Sequence, residues 1–325
     1  MLKLGNISLD VPFYQAPLSG YTDRAMRVLA HKYGAPLTYT GVILAKIALH
    51  KKAFNRLFFQ PRADEGLVGA QILGNDPETM AKAAGAFSNV GFDLIDLNFA
   101  CPAPKVLRRY SGGYLLKDPE TAIKIIRFVR DSVSCPVTIK LRAGFDKSQE
   151  SMDKFWQICH GAIAEGVDAL IIHGRSVKEL YRDRADWEIV SEVKRKFPHA
   201  TIIGSGDLMD AETIVKRIKT SGLDGVIVAR GAIGNPWIFN ETRALWEGRP
   251  KPKRPSLTEQ GEVYLKHYEM IAETRPMLKS VRYFRKFSVG YCKNHPQRKM
   301  IQADLIAAKS RDDLYAAAKK WFGIG

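Results

Sequence analysis

The chain has 325 residues, of which 46% are hydrophobic and 26% charged, proportions that are typical of an ordinary globular protein. It contains no apolar run of about 18 residues or more and no signal-peptide core at its N-terminus, which argues against a membrane span and against secretion. The net charge of +16 is uneven: Arg249–Gly325 carries 17 basic and 7 acidic residues, whereas the residues before it carry 33 and 27. This distribution favours a polyanionic partner for the C-terminal part, with charge that serves solubility alone as the alternative.

Short apolar segments alternate with helical patterns through residues 1–246. Eight segments have the character of buried strands: Val11–Pro17, Leu37–Thr40, Leu67–Leu73, Phe92–Asn98, Pro136–Arg142, Asp168–His173, Thr201–Gly204 and Asp224–Ala229. The helical patterns between them include Asp76–Val90, Asp118–Ser134, Gln149–Glu165 and Asp210–Ser221. Eight strand–helix units predict a (β/α)8 TIM barrel, in which the C-terminal ends of the strands form the active face. An open doubly wound sheet is the alternative, and the first strand lacks the Gly-x-Gly-x-x-Gly that such a sheet carries.

The composition changes after Trp246. We predict that residues 1–246 form the barrel domain, because the strand patterns are confined to them. Residues 247–256 are rich in proline and basic side chains, which is typical of a linker. Residues 257–325 show helical patterns and no strand pattern, which predicts a small all-helical C-terminal domain.

Two basic segments could contact a polyanion. In the segment Pro276–Tyr291, Lys279, Arg282 and Lys286 recur at spacings of 3 and 4, so they share one face of a helix. Apolar residues are predicted on the opposite face: Met277, Val281, Phe284 and Tyr291. The segment Lys46–Arg56 is also basic and amphipathic. A solvated helix face is the alternative in both cases.

The stretch from Asp96 to Pro119 carries the most distinctive combination of residues in the chain. The buried strand Phe92–Asn98 ends in an asparagine, and Cys101 and two prolines follow it. Because proline stops a helix or a strand ladder, Cys101 is expected on a stiff loop at the C-terminal end of the strand. A small residue of the core is the alternative for this cysteine.

Polar residues also mark other strands. Gln71 lies inside the third strand and must find a hydrogen-bond partner, in a core network or on a ligand. Lys140 and Arg142 lie on one face of the fifth strand because side chains alternate there, and two cations in that place need an anion. The loops after strands seven and eight contain small residues that let backbone N–H groups approach a phosphate; the residues predicted there are Ser205, Gly206, Asp207, Ala229 and Arg230.

Asn98-Phe99-Ala100-Cys101-Pro102, the following Lys105 and the segment Gly112–Pro119 resemble the signature of the tRNA-dihydrouridine synthases, flavin enzymes that reduce uridine in folded RNA. The resemblance implies FMN as the cofactor, NADPH as the reductant and tRNA as the substrate. It also implies that a hydride reaches carbon 6 of the uracil while Cys101 protonates carbon 5. A thiol suits that role because free thiols are mostly protonated at neutral pH.

The resemblance assigns roles to further residues. Toward FMN it implies Ala16, Pro17, Leu18, Gln71, Lys140, His173, Ser205, Gly206, Asp207, Ala229 and Arg230. Toward the RNA it implies Asn98, Lys105, Arg142, Arg175 and Tyr181, together with Arg282 and Lys286 in the helical domain. The sequence departs from the family pattern at Gly41, where a carboxylate is usual nearby, and at Ala100, Ser205 and Ala229, where Gly, Asn and Gly are more usual.

The four cysteines show no Cys-x-x-Cys spacing, so no metal site is predicted and a reducing cytoplasm is the expected location. We expect a monomer. Two other functions compete with the one that the resemblance implies. A flavin barrel that acts on a free pyrimidine, as a dihydroorotate dehydrogenase does, would reduce or oxidise uracil or orotate in solution. A non-catalytic RNA-binding protein would bind RNA without any flavin.

Overall fold

The computed structural model describes residues 1–50, 61–293 and 295–324, so residues 51–56 of the predicted basic segment Lys46–Arg56 lie outside the described residues. The strands in these ranges are β1 (Leu2–Leu4), β2 (Ile7–Leu9), β3 (Phe13–Gln15), β4 (Leu37–Tyr39), β5 (Ile43–Leu44), β6 (Leu67–Leu73), β7 (Leu94–Phe99), β8 (Val137–Arg142), β9 (Ala169–His173), β10 (Ile202–Ser205) and β11 (Gly225–Val228). Neighbouring parallel strands follow the order β3-β11-β10-β9-β8-β7-β6-β4, and β5 extends the edge beside β6. The predicted (β/α)8 barrel is confirmed, and each of the eight predicted strands is present within two residues of its predicted ends.

The barrel interior is built by alternation along each strand. In β7, Leu94, Asp96 and Asn98 point inward, whereas Ile95 and Leu97 pack outward against the helices. The rings of Tyr14 and Tyr39 meet at 5.9 Å between the first and last strands of the sheet order. The β1–β2 hairpin adds three leucines to the inner cluster, which places an apolar plug at the N-terminal end of the barrel: Leu2, Leu4 and Leu9.

The helices of the described ranges are α1 (Arg24–Lys32), α2 (Ala45–Ala48), α3 (Pro77–Asn89), α4 (Pro104–Leu107), α5 (Pro119–Ser132), α6 (Gln149–Ala164), α7 (Trp187–Lys196), α8 (Ala211–Ser221), α9 (Ile238–Trp246), α10 (Leu257–Ala272), α11 (Met277–Tyr291), α12 (Arg298–Ala307) and α13 (Arg311–Phe322). Several barrel helices begin at an aspartate whose side chain accepts a hydrogen bond from the first turn, as Asp76 and Asp118 do before a proline at the first helical position. Because these signals are local, the predicted helices Asp76–Val90 and Asp118–Ser134 begin within one residue of α3 and α5.

Helices α10 to α13 pack around aromatic side chains, among them Tyr264, Phe284 and Phe322. They also contact the barrel. The hydroxyl of Tyr283 donates to the carbonyl oxygen of Gly20 at 2.8 Å, and the ammonium of Lys286 donates to the same oxygen. The C-terminal helices therefore touch the loop that follows β3.

The predicted helix Pro276–Tyr291 is confirmed as α11, which begins one residue later. Its predicted apolar face is buried at Val281, Phe284 and Tyr291, but Met277 is exposed because it lies in the first turn, beyond the packed part of the helix. The domain boundaries at 246 and 257 stay a prediction. Within the described ranges, no helix combines the length and the apolar character needed to cross a membrane.

Candidate active site

The C-terminal ends of the barrel strands surround an open cavity. Most of the predicted site residues line it: Pro17, Leu18, Gln71, Asn98, Cys101, Lys140, Arg142, His173, Tyr181, Ser205, Gly206, Asp207, Ala229 and Arg230. Further wall residues that the sequence analysis did not single out are Ser19, Val42, Leu208, Met209 and Ile227. The remaining predicted residues lie outside its walls: Ala16, Lys105, Arg175, Arg282 and Lys286.

Cys101 lies on the loop after β7, and backbone hydrogen bonds fix that loop. The side-chain oxygen of Asn98 accepts the N–H groups of Ala100 at 3.2 Å and of Cys101 at 2.9 Å. The carbonyl oxygen of Cys101 accepts the N–H of Gly113 at 3.0 Å. Gly112 has a φ of +60°, and a β-carbon there would lie 3.1 Å from that of Cys101. The Gly-Gly pair in the sequence thus lets a second loop close against the cysteine, which stays half-buried and faces the cavity.

Gln71 belongs to a buried polar network below the cavity. Its amide nitrogen donates to Asp96 at 2.6 Å, and its oxygen accepts from the amide of Asn98 at 2.8 Å. Asp96 also accepts a hydrogen bond of 2.6 Å from the hydroxyl of Thr138. Burial raises the pKa of the Asp96 carboxyl, and the hydrogen bonds from Thr138 and Gln71 oppose that shift. Gln71 therefore belongs to a core network and also lines the cavity, so its position is compatible with both predicted partners, a core network and a ligand.

Lys140 lines the cavity, and its ammonium has no hydrogen-bond partner among the described residues. Burial and the charge of Arg142 together lower the pKa of Lys140 to about 8, whereas the charge of Asp96 opposes the shift. An ammonium in the cavity wall that donates no hydrogen bond to the described residues is available to an anionic or carbonyl group bound in the cavity.

His173, at the end of β9, is surrounded by cations. Burial, followed by the charges of Lys140 and Arg142, holds the pKa of His173 well below the ordinary value for histidine. The imidazole is therefore neutral at physiological pH, so it can accept one hydrogen bond and donate another.

The two arginines predicted to meet the substrate differ in their surroundings. Arg142 lies in the cavity wall, where its guanidinium donates to the carbonyl oxygens of Ala100 at 3.0 Å and Ser176 at 2.9 Å. Arg175 is buried behind the wall and donates to the backbone carbonyl oxygen of Asp183 at 2.7 Å and to the carboxylate of Asp207 at 2.6 Å. Arg175 thus holds the loop that carries Tyr181, which itself faces the cavity.

The loops after β10 and β11 carry the predicted phosphate site. Gly206 has a φ of +137°, and a β-carbon there would lie 2.5 Å from that of Ala185, so only glycine fits. Asp207 accepts hydrogen bonds from Arg175 and, at 3.1 Å, from Arg230. The guanidinium of Arg230 lies 4.4 Å from the ring centre of Tyr181. Small residues and an arginine therefore meet at one end of the cavity.

A second cavity opens beside the thiol and shares Ser19, Val42 and Cys101 with the first. Lys105 and Arg109 lie on its rim, and its floor contains apolar side chains such as Val106. In the part of the chain that the structure describes, Lys105, Arg108 and Arg109 have no acidic partner. Exposed cations without acidic partners beside the Cys101 thiol favour an anionic molecule that spans both cavities.

On α11, the three predicted cations are not equivalent. Lys279 and Arg282 are exposed, and neither has an acidic partner in the described ranges. Lys286 is half-buried, and its ammonium lies 3.2 Å from the ring centre of Tyr283 while it donates to Gly20. Burial lowers the pKa of Lys286 to about 8, whereas Asp23 opposes the shift. Within the described residues, no cluster of His, Cys, Asp and Glu side chains could hold a metal ion.

Comparison with known proteins relates most of the chain to one family. Residues 14–320 match the family described as Dihydrouridine synthase (Dus). The "Probable tRNA-dihydrouridine synthase" of Rhodobacter capsulatus is 34% identical over 271 residues, which are 83% of this chain and 82% of that protein. The "tRNA-dihydrouridine synthase B" of Pasteurella multocida is 31% identical over 290 residues, which are 89% of this chain and 86% of that protein.

Solved structures with a similar fold are more distant in sequence. Histamine dehydrogenase from Rhizobium sp. 4-9 superposes with a TM-score of 0.56 at 16% identity, over 83% of this chain and 50% of that chain. A 2-naphthoyl-CoA reductase superposes with a TM-score of 0.59 at 12% identity, over 99% of this chain and 69% of that chain. At these identities the likeness supports the barrel fold alone.

Proposed function

The chain belongs to the dihydrouridine synthase family, and on that premise we propose that it reduces uridine to 5,6-dihydrouridine in tRNA, with FMN as cofactor and NADPH as reductant. One observation carries the proposal: a half-buried thiol and an unpartnered ammonium face the same cavity at the active end of the barrel. We take tRNA as the substrate from the names of the relatives.

The cavity walls fit an FMN. Lys140 offers a donor that no described residue uses, and Gln71 presents a polar amide beside it. Gly206 has no side chain, and Arg230 brings a positive charge to the same end of the cavity. The carboxylate of Asp207 also lies there, and its charge is paired with Arg175 and Arg230. Pro17 and Leu18 supply a wall for a ring system. FMN, when bound, supplies the hydride for carbon 6 of the uracil.

The side chains around the thiol supply the remaining chemistry. Cys101 protonates carbon 5 of the uracil from the cavity side, acting as a general acid. Asn98 fixes the backbone of the cysteine and keeps the thiol in place. Arg142 and the exposed ring of Tyr181 border the space where the base must lie. Because the target carbon of a folded RNA is stacked, the nucleotide has to leave its stack to reach this cavity.

The cations outside the cavity suit the RNA backbone. Lys105 and Arg109 line the second cavity next to Cys101, Arg108 lies between them in the chain, and Lys279 and Arg282 lie on α11. A reductase of free pyrimidines would not need these unpaired charges outside the cavity that holds the base. They therefore favour a polymer over a free base.

We expect the purified protein to hold FMN. Denaturing the protein and identifying the released chromophore by mass and by chromatography tests this directly. Replacing Gly206 with alanine should weaken FMN binding strongly, because the new methyl group would collide with Ala185 beside the phosphate site. The matched control is Gly222→Ala, since the β-carbon of that glycine would meet nothing within 4 Å and its φ is also positive, at +70°. A colourless protein that cannot be reconstituted with FMN would refute the proposed function.

Reversing the charge of the two exposed cations on α11 should weaken tRNA binding. We expect Lys279→Glu with Arg282→Glu to lower the affinity for tRNA by about tenfold or more near 0.1 M salt. The slope of log affinity against log salt concentration should become shallower by about 0.7–0.9 for each phosphate contact that is lost. NADPH oxidation should not change, since neither residue lines the cavity. The control is Lys216→Glu with Lys219→Glu, which makes the same change of charge at the same spacing on the exposed face of α8. Equal affinities and salt slopes for both double variants would place the RNA contact elsewhere.

A further inference from the structure

A continuous path of hydrogen bonds joins a buried carboxylate to the backbone of Cys101. Gln71 donates to Asp96 at 2.6 Å, and Asn98 donates to Gln71 at 2.8 Å. The oxygen of Asn98 then accepts the N–H of Cys101 at 2.9 Å. All three side chains of this path are buried: Asp96, Gln71 and Asn98.

The carboxylate fixes the direction of every link. An ionised carboxylate only accepts hydrogen bonds, so Gln71 must turn its amide nitrogen toward Asp96 and its oxygen toward Asn98. Asn98 must then present its nitrogen to Gln71, which leaves its oxygen for the loop. If either amide turned over, two donors or two acceptors would face each other in a buried place, at a cost of about 1–3 kcal/mol per unsatisfied group.

We propose that Asp96 is a positioning residue for Cys101, which orients the amides of Gln71 and Asn98 so that the loop backbone carries the thiol at the cavity wall. This role rests on the proposed function only in that Cys101 serves as the proton donor. Asp96 itself does not line the cavity. Its second oxygen accepts from Thr138, which forms a side branch that does not lead to the cysteine.

The structure offers matched variants. Asp96→Leu removes the acceptor for Gln71 and frees the amide of Gln71 to turn. Asp96→Asn keeps an oxygen for Gln71, because the hydroxyl of Thr138 can accept from the new amide nitrogen as well as donate. Thr138→Val removes one hydrogen bond from the same carboxylate without touching the path. Gln71→Met interrupts the path one link later and replaces Asp96→Leu if that variant does not fold.

Hydrogen exchange of the FMN-loaded protein gives a direct measure of the path. In Asp96→Leu and Gln71→Met, the amides of Ala100 and Cys101 should exchange faster by about tenfold or more, while peptides from β9 and β10 keep their wild-type rates. Pro102 and Pro104 have no amide hydrogen, so a peptide over this loop reports mainly on the two amides of interest. Asp96→Asn and Thr138→Val should leave this peptide unchanged.

The second measure is the rate of uridine reduction in a single turnover, with the cofactor reduced before tRNA is added. This rate does not depend on how fast NADPH reduces the cofactor. Asp96→Leu should lower the rate of uridine reduction by about 10²-fold, the cost of a displacement near 1 Å, whereas Asp96→Asn stays close to wild type. Unchanged exchange at Ala100 and Cys101 in Asp96→Leu and Gln71→Met would overturn the inference. Equal effects of Thr138→Val, or faster exchange throughout the barrel, would also overturn it, since Asp96 would then be an ordinary core residue. If wild-type protein does not reduce tRNA, the proposed function fails, but hydrogen exchange still decides the role of Asp96.

Discussion

Cys101→Ala is expected to lower uridine reduction in tRNA by about 10²–10⁴-fold, the usual contribution of a well-placed general acid, while NADPH oxidation continues near the wild-type rate. The two steps separate because the thiol serves only the protonation of carbon 5, and it makes no side-chain hydrogen bond that holds the cavity together. Dihydrouridine formed in a defined tRNA and NADPH consumed in its absence are measured on the same preparation.

Cys135→Ala is the matched control for that experiment. Cys135 is also half-buried, but it precedes β8 and so lies at the opposite end of the barrel from the cavity. The control variant should keep both activities. Equal tRNA reduction by wild type and Cys101→Ala would exclude the thiol as the acid. Loss of both activities in Cys101→Ala would instead show that the residue supports the cavity as a whole.

The fold was predictable because its signals are local. An apolar segment that ends in polar or small residues predicts a strand, and an aspartate before a proline, as at Asp76 and Asp118, predicts the start of a helix. Eight such strand–helix units predict a (β/α)8 barrel. In that fold the C-terminal ends of all the strands meet at one face, so the residues there are expected in one site. This is why residues as distant in sequence as Gln71 and Arg230 were expected in one cavity, where the structure does bring them together.

The sequence says less about residues whose orientation depends on loops. Arg175 follows His173 closely, so both were expected at the cavity, but the guanidinium of Arg175 binds the backbone carbonyl of Asp183 and the carboxylate of Asp207 instead of lining the cavity. Lys286 shares a helix face with Arg282 by spacing. Helix α11 packs on the loop after β3, and this contact brings the ammonium of Lys286 to the carbonyl oxygen of Gly20. No local sequence pattern predicts such a contact.

Other wall residues carry no chemical signal at all. Val42, Leu208 and Met209 are apolar residues in loops, and such residues do not distinguish a cavity wall from a core. Asp96 did have a signal that the sequence analysis left unused. It lies two residues before Asn98 in an otherwise apolar strand, and alternation places both side chains on one face. A buried acid in that position requires partners, which here are Gln71 and Thr138.

Lys140→Met is expected to lower the rate at which NADPH reduces the bound flavin by about 10²–10³-fold, the usual cost of removing one preorganised donor from an active site. The ammonium of Lys140 lines the cavity and makes no hydrogen bond to the described residues, so it is available to stabilise negative charge that develops there. Rapid-mixing measurements of the flavin absorbance give this rate in the absence of tRNA. Methionine is close to lysine in length and carries no charge, so the variant tests the charge and keeps most of the volume.

The pH dependence of the same rate gives a second test of Lys140. Burial lowers the pKa of Lys140 to about 8, so the side chain is charged below that pH and neutral above it. An anionic group bound beside it raises the pKa again, so the wild-type rate should fall as the pH rises through a midpoint at or above 8. This alkaline fall should be absent in Lys140→Met. It should also be absent in Lys140→Arg, which stays charged throughout and should retain more of the rate. An alkaline fall that persists in both variants would assign the titration to another group and remove Lys140 from the charge-stabilising role.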